Sequence, residues 1–301
     1  YLFQTNPDLS ELEETTHLGI LIAVTIGFFA GLADDAFNTI PWLKLFAQLI
    51  CGSILIYFNV QIQFFQNPIL DGLLTLFWVV AVMNSLNMLD NMDAITGIVS
   101  ISILLSTAIF SLPITDANLY FTFICGGTLS AIVGFMFFNW NPSKIFMGDT
   151  GSQMLGALLA AIGIVFFWNN ETTIENHAWF SKISIVAAAF VVPIADSLTV
   201  TVNRLRRGQS PFVGGRDHTT HHLSYAGLND RKVAFVFIGI SVISILLLAG
   251  FQLSVFESWN WCPLILMGFS IATISFLYST TLWKKPRAIF ESSLAKSSQD
   301  K

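Results

Sequence analysis

Long apolar runs separated by short polar breaks organise this chain. The runs cover approximately 17–33, 42–59, 69–88, 95–113, 119–138, 151–168, 181–202, 232–251 and 263–283. A membrane-crossing helix needs about 20 mainly apolar residues, so the pattern predicts an all-α polytopic bundle of about nine spans. Most breaks are short and marked by Pro, Asn or Gly, as at Asn67-Pro68 and between Asn139 and Pro142. With no internal repeat and no low-complexity linker, the expected organisation is one membrane domain over 1–283 and a tail over 284–301.

Composition agrees with that solvent. The chain is 54% hydrophobic and 11% charged, with mean hydropathy +0.67, whereas soluble domains carry about 25% charged residues. Cys51, Cys125 and Cys262 lie in or beside apolar runs at spacings that fit neither a disulfide framework nor a zinc site. They read as small packing residues.

Charge supplies an orientation. Nine spans alternate the loops between two sides, and 13 of the 14 Lys and Arg residues fall on one of them, Lys182 being the exception. The positive-inside rule makes that side cytoplasmic. The opposite side holds acidic stretches such as Glu171 to Glu175 and the leader Asp8 to Glu14. The chain begins at Tyr1 in this outward acidic segment, and the expectation is that further spans precede it in the whole protein.

Four polar clusters then fall on the basic side. GLADD ends in Asp34 and Asp35; NSLNMLDNMD holds Asn84, Asn87, Asp90 and Asp93; IFMGDTGS holds Asp149; RLRRGQSPFVGGRDHTTHH holds Arg204, Arg206, Arg207, Arg216, His218, His221 and His222. Ionisable groups at membrane segments are costly and mark function by default. Asn84, Asn87, Asp90 and Asp93 recur every three residues, so one helix would carry them as a polar ridge. Such a ridge suits a hydroxyl-rich or uracil-like ligand, or a hydrated cation. Asp34 and Asp35 are adjacent and cannot point the same way on a helix, so one can face a metal while the other accepts a hydrogen bond. A hard ion such as Mg²⁺ suits carboxylates and phosphate oxygens. Gly148 and Gly151 would let backbone approach a ligand at the start of the sixth span, where a helix N-terminus can receive phosphate. The loop's arginines and histidines add donors for phosphate oxygens. Together these parts are suited to phosphoryl transfer.

Plainer roles stand beside these. Asp149 can be a helix cap, the Arg204–Arg207 run can be a topology signal, and Asp196, within the seventh span, can pair with Arg204 or a neighbour. His17 and His177 fall on the outer side and receive no role.

At the clusters the sequence resembles the polyprenyl-phosphate N-acetylhexosamine-1-phosphate transferases, a group that includes the phospho-N-acetylmuramoyl-pentapeptide transferase. The resemblance runs from about Gly27 to Leu228 through GFFAGLADD, PWLKLFAQ, NSLNMLDNMD, FMGDTGSQMLG and PIADSLTVTVNRLRRGQSPF with its histidine loop. It implies a multi-pass enzyme of the bacterial cytoplasmic membrane with its site facing the cytoplasm. The implied reaction moves a sugar 1-phosphate from a UDP-N-acetylhexosamine to undecaprenyl phosphate, releasing UMP, with Mg²⁺ or Mn²⁺, at the start of cell-envelope glycan synthesis. An N-acetylglucosamine donor fits the histidine loop better than the muramoyl-pentapeptide.

The resemblance also implies roles. Asp34, Asp35, Lys44 and Asp93 would be catalytic, Asp34 acting on the lipid phosphate and Lys44 neutralising charge. Asn87, Asp90, Phe146, Arg216, His218, His221 and His222 would bind substrate, with Phe146 stacking on uracil. Asp149, with Asp35, would hold the metal. Three departures stand out. Asn91 and Ala94 occupy positions where the family usually has Gly; Thr220 replaces the middle histidine of His-x-His-His; and two N-terminal spans with a loop bearing Pro, Arg and Gly are absent from the given sequence.

Two rival readings differ in class. A cation transporter would place its carboxylates near mid-membrane on broken helices, and here they sit at span ends. A CDP-alcohol phosphotransferase would need a single aspartate-rich helical motif that the sequence lacks. No nucleic acid partner is expected, and the oligomeric state, with a homodimer among the options, stays open.

Overall fold

The computed structural model describes residues 7–112, 116–170, 178–210, 215–253 and 261–283. Among them the secondary structure is helical and no strand occurs. The helices are α1 (Pro7–Phe37), α2 (Pro41–Tyr57), α3 (Pro68–Leu89), α4 (Ile95–Phe110), α5 (Asp116–Asn139), α6 (Gly148–Gly163), α7 (Ala178–Ala189), α8 (Val191–Arg206), α9 (Thr219–Tyr225), α10 (Asp230–Gln252) and α11 (Cys262–Thr280). Helix α6 continues into a π-helical turn, Ile164–Trp168.

Among the described residues, six helices are long and apolar enough to cross a membrane; α7 and α8 pass the same test as a bent pair; α2 and α4 are shorter apolar helices. These nine units correspond to the nine apolar runs, so the chain is a polytopic helical membrane protein. The seventh run is the one that does not form a single rod. It breaks at Phe190, and its halves meet at 82°. Pro193, in the first turn of α8, has no N–H for the Ala189 carbonyl, and this missing bond favours a break there. The tail expected over 284–301, with its basic residues, lies outside the described residues.

Helix α6 is the hub, 78% buried along its span and packed mainly on α1 and α3. Its residues Ala157, Leu159, Ala160, Ala161 and Ile162 are fully buried. Small residues permit the close approach: a methyl group on Gly156 would sit 2.8 Å from the Cα of Met83 in α3. On α1, a methyl group at Gly31 would lie 2.2 Å from the carbonyl oxygen of Asp149. Gly31 therefore lets the last turns of α1 lie directly against the first turn of α6. That contact delivers Asp34 and Asp35 to Asp149.

Candidate active site

Where α1 ends and α2, α6 begin, three carboxylates and one ammonium meet. Lys44, in the first turn of α2, places Nζ 2.7 Å from Asp34 Oδ2 and also contacts Asp149 Oδ2. Asp34 further accepts from the Thr39 backbone N–H at 3.0 Å and from the Thr39 hydroxyl. Its neighbour Asp35 points elsewhere, as adjacent helical positions require. Asp35 Oδ1 accepts from the Asp149 N–H at 3.0 Å, and Oδ2 accepts from the Thr150 N–H at 2.9 Å and the Thr150 hydroxyl at 2.6 Å. No side chain of the residue before α6 caps that helix. Asp35, reaching over from α1, meets its first amides instead. The N-terminus expected to receive phosphate is thus filled by the protein's own carboxylate.

The C-terminal end of α3 closes the other side. Asn87 Nδ2 donates to Asp149 Oδ1 at 2.9 Å and to Ser152 Oγ at 3.0 Å. One turn earlier, Asn84 and Gln48 exchange hydrogen bonds of 2.9 and 3.1 Å, and Gln48 reaches Gln153 at 3.2 Å. This amide network ties α2, α3 and α6 together beneath the charged groups. Gln48 and Gln153 were visible in the sequence as amides within apolar runs, and that is the signal by which their role could have been found.

The expected polar ridge does not continue through Asp93. Helix α3 ends at Leu89, and Asp90 caps it with ψ at 42°. The side-chain amide of Asn91 folds back onto the Met88 carbonyl, a local bond that competes with helix continuation. Ala94 then turns the chain with φ +70°, and its N–H is held by Asn139 Oδ1 at 2.9 Å. A left-handed backbone is costly for alanine and free for glycine, so Ala94 adopts the shape for which the resembling family uses Gly. As a result Asp93 faces the loop after α5. It accepts from Asn141 Nδ2 at 2.9 Å and from the Ser143 N–H at 3.1 Å. Asp90 stays with the carboxylate group: burial, and then the charges of Asp149 and Asp35, push its carboxyl up to about 6.

The histidine loop forms a second polar group. Arg204 binds Asp217 in a two-pronged contact, Nε to Oδ2 at 2.9 Å and Nη2 to Oδ1 at 2.7 Å, which holds the Asp217 carboxyl below its ordinary value. Asp196 is met instead from His218 and the start of α9. Asp196, fully buried in α8, lies 2.8 Å from His218 Nδ1 and accepts from the Thr219 N–H and hydroxyl at 2.8 and 2.7 Å. His221 is half-buried, and burial lowers its pKa from the usual imidazole value. His222 is buried and packs edge-on to Tyr225. Arg216 is exposed, with its carbonyl accepting from Tyr225 OH at 3.3 Å, and Phe146 is 76% exposed in the loop before α6.

One turn joins the two groups. Asn91, next to Asp90, accepts from the Thr220 hydroxyl at 2.6 Å, so residues 90–94 contact both the carboxylate group and α9. Thr220, where the family pattern has histidine, thereby gains a definite partner.

The donor chemistry fits a hard divalent cation. Asp34, Asp35, Asp90 and Asp149 interact with one another, and Lys44 offsets part of their charge. Among the described residues no group of three or more His, Cys, Asp and Glu side chains is arranged to coordinate a metal unaided. Mg²⁺ does not need one, since it keeps several waters and binds through one or two carboxylates plus substrate phosphates.

Comparison with known proteins gives this arrangement its setting. The sequence profile of glycosyl transferase family 4 matches residues 17–167, which include every residue of the carboxylate group. A phospho-N-acetylmuramoyl-pentapeptide-transferase of Streptococcus uberis is 33% identical over 237 residues, covering 71% of this chain and 66% of that protein. A probable undecaprenyl-phosphate N-acetylglucosaminyl 1-phosphate transferase of Bacillus subtilis is 26% identical over 229 residues, covering 72% and 62%. A decaprenyl-phosphate N-acetylglucosaminephosphotransferase of Mycobacterium leprae is 28% identical over 245 residues, covering 73% and 62%. The chain therefore spans less than two thirds of the length of these relatives. With half of its residues under the family profile and a relative one-third identical over 71% of its length, the chain belongs to glycosyl transferase family 4.

Proposed function

We propose that the protein transfers N-acetylglucosamine 1-phosphate from its UDP ester to undecaprenyl phosphate at the cytoplasmic membrane face. The observation that carries this reading is Lys44 held between Asp34 and Asp149, with Asn87 and Asp90 alongside. In the proposed reaction an oxygen of the lipid phosphate attacks the sugar-bearing phosphorus. The bond from that phosphorus to the bridging oxygen breaks, and UMP departs with it. Asp34 orients or deprotonates the lipid phosphate, and Lys44 neutralises charge as the phosphates approach. Asp149 would hold Mg²⁺ or Mn²⁺, which supplies positive charge to the diphosphate when bound. Asp35 fixes Asp149 by capping α6, which places it beside the metal position. Asn87 and Asp90 take the nucleotide sugar, and Phe146 stacks on uracil. Arg216, His218, His221 and His222 serve the diphosphate. Asp93 shapes the loop that leads to Phe146.

Family relatives are named for both muramoyl-pentapeptide and N-acetylglucosamine substrates, so the donor must be tested directly. Full-length protein is incubated with undecaprenyl phosphate, Mg²⁺ and radiolabelled UDP-N-acetylglucosamine, in parallel with UDP-N-acetylmuramoyl-pentapeptide. Label entering the lipid phase from the first donor, and returning to the aqueous phase on addition of UMP, is the expected result. Label entering from the muramoyl donor alone would reassign the substrate. Folded protein that transfers neither would move the chain to the cation-transport reading, which a flux assay checks.

A further inference from the structure

Asp196 is a carboxylate with no exposed surface in the middle of α8, and the proposed reaction gives it no role. A buried charge of this kind is costly unless its lone pairs are met. Here they are met by three neighbours from one short stretch: His218 Nδ1, the Thr219 N–H and the Thr219 hydroxyl, all within 2.8 Å. An ionised carboxylate can only accept, so its contact with His218 requires the ring proton to reside on Nδ1. That leaves Nε2 as the nitrogen able to take or present a proton. His218 is itself 6% exposed, so the ring is held in orientation. The adjacent Thr220 hydroxyl is fixed by Asn91, one residue from Asp90.

We infer that Asp196 is the positioning residue for His218, holding its proton on Nδ1 and turning Nε2 to the phosphate-bearing ligand. Resting on the proposed transfer for its kinetic consequences, the inference adds to it a residue that touches no substrate. As the ring approaches a phosphate, the carboxylate behind it stabilises positive charge on the imidazole, as carboxylates do behind working histidines. Asp196→Asn keeps the size of the side chain but offers His218 either a donor or a neutral acceptor. It therefore releases the tautomer without opening a cavity.

Two measurements test this on the full-length protein. The first needs no activity. In ¹⁵N-histidine-labelled protein, with the His218 signals identified by their loss in His218→Ala, wild type should show Nδ1 protonated. An Nε2–H ring with bare Nδ1 would overturn the assignment, whether or not the protein is a transferase. The second is a double-mutant cycle on kcat/KM in protein shown to be folded by its thermal transition. Asp196→Asn and His218→Ala should each lower kcat/KM by about 100-fold, the lower end of what a positioned proton-handling side chain contributes. The double variant should be no worse than His218→Ala alone. Losses that multiply would show that Asp196 does not act through His218, and would overturn the inference while leaving the transferase reading intact.

Discussion

Helix α3 carries an aspartate near each end, and the two are held in opposite ways. Asp71, in the first turn, is 5% exposed. It accepts backbone N–H bonds from Phe64 and Phe65 at 3.1 and 2.8 Å and from Asn67 at 3.2 Å. Asn67 also caps the helix, and Pro68 starts it, as local rules favour. At the far end Asp90 lies near Asp149 and Asp35, and its carboxyl is pushed up to about 6. The chain there turns through an alanine at φ +70°. A charge buried for architecture is surrounded by the donors of its own loop. A charge that the proposed reaction would use is left in like-charged company, as perturbed groups at functional sites are.

The largest effect expected along this contrast is on turnover. Asp149→Asn should lower transfer by about a thousandfold, as loss of a group that stabilises developing charge does, with the thermal transition little changed. Asp71→Asn should do the reverse. It places an amide donor among N–H donors, so it should cost about 1–3 kcal/mol of stability with specific activity of the folded fraction retained. A melting curve beside a transfer assay, run on both variants, checks the pair. If both variants lost activity and stability alike, the two ends of α3 would not differ as described.

Next in size is Asp90→Asn. The folded carboxyl sits at about 6 against an ordinary value of 3.8, so its ionisation opposes folding above that ordinary value. The substituted protein should melt higher at pH 8, by up to about 3 kcal/mol of stability. That advantage should shrink as pH falls through 6 and vanish near 4, where both states are protonated. Melting across pH reads this directly, and transfer by the variant should be impaired. The smallest effect belongs to Ala94→Gly. Relief of the left-handed backbone should add about 1 kcal/mol, less the entropy glycine gives up, seen as a modest rise in the same transition.

Much of this was legible in the sequence, for identifiable reasons. Apolar runs near the length of a membrane crossing announced the helices, because lipid requires every backbone polar group to be bonded within the span. The adjacency of Asp34 and Asp35 announced two directions, and the two do diverge: Asp34 turns to Lys44 and Thr39, and Asp35 to the first amides of α6. The end of α3 was not legible. Three-residue spacing from Asn84 to Asp93 matches a helix, but α3 stops at Leu89 and the Asn91 side chain bonds back to the Met88 carbonyl. The capping of α6 by Asp35 also escaped, since a cap supplied from 115 positions away leaves no local motif. Asp196 stood out as an acid inside an apolar run, yet nothing in its neighbourhood named His218, 22 residues on, over Arg204.

The ion pair between Lys44 and Asp149 spans 105 positions of the chain, whereas Lys44 follows Asp34 by only ten. A ribosome delivers the N-terminal part first, so Lys44 has Asp34 for company well before Asp149 exists. The early partner keeps the ammonium and the carboxylate from standing alone at the membrane boundary while α3, α4 and α5 are inserted. Docking of α6 then converts that provisional pair into the three-helix junction. In biogenesis, as in the finished protein, the site is completed by the arrival of one helix.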